Sequence, residues 1–199
     1  MTPTAISNTT PNARSGPQRR SLVAALVEDR PDALVQTAGL LHQRAFTVES
    51  LVYGPSAEPG IARLTLALRA SPHETARLVR ELGRLLYVVN VESLDEVPTV
   101  CRELLLIKVA VEVDQRAEVL QLAEVFRART IDVAPGSVTL EVTGDADKSA
   151  GLLELLRPYG LLELARTGPM ALARHERRLE GAEGASSWLD HQRSRGAVG

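Results

Sequence analysis

Apolar and polar residues alternate along the first half of the chain with two periods, one typical of strands and the other typical of helices. Strand-like apolar runs cover residues 21–28, 47–54, 61–69 and 86–93. Helical spacing covers residues 32–44 and 72–84. The pattern therefore predicts elements in the order βαββαβ, with two helices covering one face of a four-stranded sheet.

Both predicted helices carry signals for their buried face, and the second also has a clear beginning. Ser71 is followed by Pro72 and, three residues on, by Glu74, which is the arrangement of an N-cap with a capping box. The buried stripe expected for this helix is Leu78, Leu82 and Leu85. The stripe expected for the first helix is Leu34, Ala38 and Leu41.

The same order of elements recurs in the second half of the chain. Strand-like runs cover residues 102–112, 130–134, 137–143 and 161–167, and helical segments cover residues 115–128 and 146–157. Pro98 interrupts the strand pattern between the two halves. We therefore predict an α+β protein of two ferredoxin-like βαββαβ domains, at residues 21–97 and 98–173.

The two ends of the chain differ in composition from these domains. Residues 1–20 are rich in Thr, Ser, Asn and Pro and predict a disordered leader. Residues 174–199 mix charges with Gly, Ala and Ser and predict a flexible tail, in which Trp188 is interpreted as incidental or as a weak contact.

Charge and cysteine content narrow the class of protein. The net charge is -2, from 23 Lys+Arg and 25 Asp+Glu, so the whole chain has no strong field for nucleic acid or an anionic membrane. The apolar run at residues 22–27 ends at Glu28 and is shorter than the roughly 7 to 15 residues of a signal-peptide core. Cys101 is the only cysteine and cannot form an intrachain disulfide, so we expect a cytoplasmic protein.

Residue patterns that would indicate catalysis or metal binding are missing. The four histidines have no partners at metal-ligand spacing, and the chain lacks a phosphate loop, a dinucleotide-binding glycine turn and a serine nucleophile elbow. Two acidic pairs, Glu112 with Asp114 and Asp145 with Asp147, are interpreted as solvated caps near helix starts. The residues therefore give little support for an enzyme.

Several collinear segments resemble a known family. Residues 26–34, LVEDRPDAL, and 43–51, QRAFTVESL, resemble the opening of the small regulatory subunit of acetolactate synthase (acetohydroxyacid synthase). The family pattern there is roughly V-E-N-x-x-G-x-L followed by R-R-G-[FY]-N-I-E-S-L. Further matches, in order, are RELLLIKV at 102–109, IDVAP at 131–135 and PYG at 158–160. The chain is identified as a divergent member of this family.

The resemblance implies a function that the residues alone do not show. Family members have an N-terminal ACT domain, form homodimers through it, bind and activate the large catalytic subunit and transmit allosteric feedback by valine. The large subunit carries thiamine diphosphate, Mg and FAD and condenses pyruvate with a second 2-ketoacid in branched-chain amino acid biosynthesis. This chain itself is then expected to be non-catalytic, with no cofactor or metal of its own.

The resemblance also implies an effector site, and this chain differs from the family pattern at several residues of that site. In the family, a glycine in the first loop and an asparagine at the start of the second strand of the neighbouring protomer hold valine. Asp32 stands in place of that glycine and Thr47 in place of that asparagine, while Asp29 replaces a loop asparagine and Ala45 a second glycine. The candidate effector-binding residues are Asp29, Asp32, Ala33, Leu34, Thr47 and Val48.

Asp32 bears most directly on valine binding. Its carboxylate at a helix start is expected to cap the N–H groups that would receive a ligand carboxylate and to repel that ligand. A weak or lost valine response follows. Alternatively, Asp32 is only a favourable first-turn residue in a shifted loop. Two other functions also remain open: a stand-alone ACT sensor acting on a different enzyme, and an enzyme with a pocket on the sheet surface.

Overall fold

Two α+β units follow one another through residues 17–174, the part of the chain that the computed structural model describes. The first contains β1 Arg19–Glu28, α1 Pro31–Gln43, β2 Thr47–Pro55, β3 Ile61–Ala70, α2 Pro72–Leu82 and β4 Val88–Ser93. The second contains β5 Thr99–Ala110, α3 Arg116–Val125, β6 Arg129–Ala134, β7 Ser137–Gly144, α4 Ala146–Leu156, β8 Leu161–Arg166 and β9 Met170–Ala173. A single 3-10 turn, Arg157–Tyr159, follows α4.

Each unit forms one antiparallel sheet with its two helices on one face. The first sheet has the strand order β2-β3-β1-β4, and the second has the corresponding order β6-β7-β5-β8, with β9 also paired to β5. The predicted α+β fold of two ferredoxin-like βαββαβ units is confirmed. The boundary predicted between residues 97 and 98 falls in the connection between β4 and β5.

The ends of the units differ from the sequence prediction in two places. β1 begins at Arg19, inside the predicted leader, and Arg20 forms an ion pair of 3.2 Å with Glu49 of β2. β9 was not predicted, because four residues are too few to establish an alternating pattern. Residues 1–16 of the predicted leader and residues 175–199 of the predicted tail lie outside the described residues.

β1 is apolar at consecutive positions because both of its faces are buried. Side chains alternate between the faces of a strand, so Val23 and Ala25 pack under the helices while Ala24 and Leu26 point to the opposite face. Ala171 of β9 joins this second cluster and is buried. The second unit therefore covers part of the open face of the first sheet.

The buried stripe of α1 differs from the predicted one. Ala33, Thr37 and Leu41 are buried, whereas Leu34 is 40% exposed and Ala38 is exposed. Thr37 tolerates burial because its hydroxyl donates to the Ala33 carbonyl at 2.8 Å and lies 3.0 Å from the Tyr87 hydroxyl. Leu41 is confirmed, whereas Leu34 and Ala38 lie one residue beyond the buried positions, because the prediction did not expect the polar Thr37 on the buried face.

α2 begins as its sequence predicts. The Ser71 hydroxyl accepts a hydrogen bond from the Glu74 backbone N–H, and the Glu74 carboxylate accepts one from the Ser71 backbone N–H at 2.8 Å. Both bonds satisfy N–H groups that a helix start leaves without a partner in the helix. Leu78 and Leu82 are buried, and Leu85 packs against the same core beyond the helix.

Candidate effector site

The loop between β1 and α1 has a backbone geometry fixed by its own sequence. Arg30 is the N-cap residue of α1 and is extended, with φ -132° and ψ 149°, as expected for a residue before proline. Pro31 occupies the first helical position, where its missing N–H costs no hydrogen bond. The side chain of Arg30 does not cap the helix. Asp32 is consequently the second residue of the helix, at the positive end of its dipole.

The carboxylate of Asp32 is held by side chains on both sides of it. Arg30 donates to it through Nε at 2.6 Å and through its second guanidinium nitrogen at 2.9 Å, and Gln36 donates through Nε2 at 2.6 Å. The hydrogen bonds from Arg30 are the main reason that the pKa of Asp32 lies below its ordinary value, and its own backbone N–H contributes less. Besides the contact with its own backbone N–H, the Asp32 carboxylate therefore forms a bidentate ion pair with Arg30 that the sequence did not predict.

Asp29 is turned away from the helix start and towards β2. Its Oδ1 accepts a hydrogen bond of 3.0 Å from the Tyr53 hydroxyl, and its backbone N–H donates to the Gly60 carbonyl at 2.9 Å. Burial, and secondarily this contact with Asp29, raises the pKa of Tyr53. Asp29 thus fastens the loop to the far end of β2.

The next two candidate residues lie on different sides of α1. Ala33 is buried in the core, and its backbone N–H donates to the Arg30 carbonyl at 3.1 Å. Leu34, in contrast, presents an apolar side chain to the surface in the first turn. Of the two, only the Leu34 side chain is accessible to a ligand or partner.

Thr47 and Val48 lie at the other end of the first sheet. Thr47 begins β2 opposite Arg69, whereas Tyr53, which binds the loop, is opposite Leu64. At about 3.3 Å per residue, the six residues from Thr47 to Tyr53 span about 20 Å. One protomer therefore does not bring the loop residues and the β2 residues together. A site that uses both sets requires a second copy.

Sequence reasoning missed the residues that hold this loop in place. Arg30 and Gln36 flank Asp32 at spacings of two and four residues, and the four-residue spacing of an amide and a carboxylate on a helix could have identified Gln36. Tyr53 gave no local signal, because its partner is 24 residues away in sequence.

Ala45 has an unusual backbone conformation. Its φ is +55°, in the left-handed region that favours glycine, directly after α1 and two residues before Thr47. The resemblance places a glycine at this position. The backbone therefore keeps the glycine-like conformation although this chain carries alanine there.

Among residues 17–174, no group of three or more His, Cys, Asp or Glu side chains could hold a metal ion. Within the same residues, no helix has the length and apolar content needed to cross a membrane.

The fold and the loop together define a two-domain chain of the ACT type. Residues 102–175 match the family model for the small subunit of acetolactate synthase. A probable acetolactate synthase small subunit of Methanothermobacter thermautotrophicus is 42% identical over 157 residues, which cover 78% of this chain and 94% of the relative. The small subunit of Aquifex aeolicus is 38% identical over 162 residues, covering 81% of this chain and 84% of the relative.

A solved structure agrees with these relatives. The crystal structure of the acetolactate synthase small subunit from Thermotoga maritima has a TM-score of 0.72 at 32% identity, covering 80% of this chain and 99% of that chain. The chain belongs to the family of acetolactate synthase small subunits. The predicted family is confirmed, and the names agree with the prediction that this chain is not the catalytic one.

Proposed function

We propose that this chain is a cytoplasmic, non-catalytic regulatory subunit that binds and activates a thiamine-diphosphate-dependent acetolactate synthase large subunit in branched-chain amino acid biosynthesis. The observation that carries the proposal is the 42% identity to a small subunit over 94% of that relative's length. Thiamine diphosphate, Mg and FAD belong to the large subunit in this proposal, and this chain contributes no cofactor.

Valine feedback through this chain is weakened or lost in our proposal. A ligand carboxylate approaching the start of α1 meets the carboxylate of Asp32, and the guanidinium that would attract it is already bonded to Asp32 at 2.6 and 2.9 Å. At the other half of the proposed site, the hydroxyl of Thr47 replaces an amide, which has one more hydrogen-bonding atom. Both changes act against binding of a zwitterionic amino acid.

Regulation in this proposal requires a homodimer of ACT domains. The loop and the start of β2 lie at opposite ends of one sheet, so an effector that contacts both has to lie between two protomers. β2 is an edge strand of the first sheet and can extend that sheet across a two-fold axis.

Reconstitution with large subunits tests the proposal. The chain is added to each candidate large subunit from the same genome, with saturating thiamine diphosphate, Mg and FAD, and acetolactate formation is measured with and without valine. We expect no turnover by the chain alone, stimulation of one large subunit, and little inhibition by valine. No stimulation of any large subunit would contradict the proposal and favour a stand-alone amino-acid sensor that acts on a different enzyme.

A further inference from the structure

An apolar groove lies between the open face of the first sheet and the β5–β9 ribbon. It has a volume of about 390 Å³. Its apolar lining comes from both units: Val52, Pro55, Val100, Met170 and Leu172. Leu172 is 59% exposed, although it lies beside this concave apolar surface. Such a surface is typical of a binding site for another apolar segment.

Two arginines give the groove a positive rim. Arg63 lines it from β3 and donates to the Ala171 carbonyl at 2.8 Å, and Arg102 lines it from β5 and donates to the Cys101 carbonyl at 2.6 Å. Glu92 offsets part of the charge of Arg63, whereas Arg102 is exposed. The groove therefore favours an occupant that combines apolar side chains with negative charge.

The described part of the chain ends beside this groove. Arg174 directly follows β9, its backbone N–H donates to the Pro98 carbonyl at 2.8 Å, and its Nε donates to the Thr99 carbonyl at 3.3 Å. The remaining residues, 175–199, thus start three positions after Leu172. The 14 residues from Arg174 to Trp188 can span up to about 45 Å when extended, so the connection does not prevent them from reaching the groove.

The chemistry of this remaining segment matches the groove. Residues 180–190 contain three acids and no Lys or Arg, and they include the adjacent Trp188 and Leu189. In the comparison with the Methanothermobacter relative, 78% of this chain accounts for 94% of that protein, so a fifth of this chain has no aligned counterpart there. Residues 180–190 therefore combine the apolar and the acidic side chains that this groove favours.

We propose that residues 180–190 of the same chain dock in this groove, with Trp188 and Leu189 against its apolar lining and the acids facing Arg63 and Arg102. A tryptophan buries a large apolar area with few rotatable bonds. Because the segment is tethered next to the groove, its effective concentration there is in the millimolar range or higher, and modest contacts suffice for occupancy.

Trp188 is the only tryptophan of the chain, so tryptophan fluorescence reports on this segment alone. The experiment compares the emission maximum and acrylamide quenching of the full chain with those of a synthetic peptide of residues 175–199. We expect a blue-shifted maximum and weaker quenching in the full chain. Arg102→Glu should restore the peptide's values, and adding Glu183→Arg to it should recover the blue shift.

Two further variants separate docking from general effects of substitution. Leu172→Asp places a charge in the groove and should also return the peptide's emission, with circular dichroism confirming that the fold is retained. Leu86→Asp is the matched control, because Leu86 is 93% exposed and does not line the groove. The blue shift should persist in this control.

Three results would overturn the proposal. One is emission of the full chain equal to that of the free peptide. The second is a blue shift that persists in both Arg102→Glu and Leu172→Asp. The third is a blue shift that disappears on dilution, which would show that the segment binds a second copy rather than its own groove.

Discussion

Replacing Asp32 by Gly together with Thr47 by Asn should give the chain a saturable valine response. In the unmodified chain the Asp32 carboxylate holds the guanidinium of Arg30 through two hydrogen bonds, so a ligand carboxylate has to compete with Asp32 for Arg30. Arg30 and Asp32 are 45% and 41% exposed, so solvent screening keeps this competition modest. A tenfold change in affinity corresponds to only about 1.4 kcal/mol.

The structure gives a second reason for the double variant to bind valine more tightly, besides the removal of a negative charge. Without Asp32, the guanidinium of Arg30 loses its bidentate partner and becomes available to a ligand carboxylate at the start of α1. Thr47→Asn returns an amide to the other half of the site. We therefore expect the double variant to bind valine at least about tenfold more tightly than the unmodified chain, and more tightly than either single variant.

Calorimetry with valine is the decisive assay. Asp147→Gly is the matched control, because Asp147 is likewise the second residue of its helix, α4, and carries the same charge. This variant should leave valine binding unchanged. Tight valine binding by the unmodified chain would show that the loop accommodates Asp32, and the reasoning about the site would then be wrong.

The same structure gives five other expected outcomes. Light scattering after size exclusion should show a dimer at micromolar concentration, and a monomer of 21.5 kDa would count against the dimeric site. Ala45→Gly should raise the free energy of unfolding by about 1 kcal/mol, because φ is +55° there, and denaturant titration measures it. Gly168→Ala should lower the free energy of unfolding by about 1–3 kcal/mol, because φ at Gly168 is +81° and an added Cβ would lie 2.5 Å from a β2 side chain. Gly39→Ala should raise the free energy of unfolding, because Gly39 lies in α1 and an added Cβ would meet no other atom. Ser71→Ala should lower the free energy of unfolding by about 1 kcal/mol at neutral pH, because it removes the N-cap of α2. Hydrogen bonds from Ser71 lower the pKa of Glu74, so the difference in unfolding free energy between the variant and the unmodified chain should shrink as the pH falls through that lowered pKa.

The predictions from sequence succeeded where the controlling interaction was local. The capping box of α2 spans only Ser71 to Glu74, so its residues and its hydrogen bonds could be read together. In α1 the prediction succeeded at Leu41 but not at Leu34 and Ala38, because the buried hydroxyl of Thr37 lies against Tyr87, 50 residues further on. β9 failed for a related reason: its partner, the start of β5, lies about 70 residues earlier, and neither segment predicts the pairing.

The candidate site shows the same limit. The resemblance identified Asp32 and Thr47 as positions that differ from the family, but it did not show that Arg30 neutralises Asp32. The argument for a weakened valine response therefore changes. Repulsion by a free carboxylate is replaced by competition, because a ligand would have to displace Arg30 from a paired carboxylate.

β2 contains residues of the candidate effector site and also contacts the second unit. Thr47 and Val48 begin the strand, and its register shifts between Val48 and Ser50. Gly168, between β8 and β9, approaches Ser50 so closely that a Cβ would lie 2.5 Å from the Ser50 Cβ. Packed side chains leave little room for independent movement. The β8–β9 connection therefore packs directly against β2 close to Thr47 and Val48, so the second unit contacts the strand that begins with the candidate site residues.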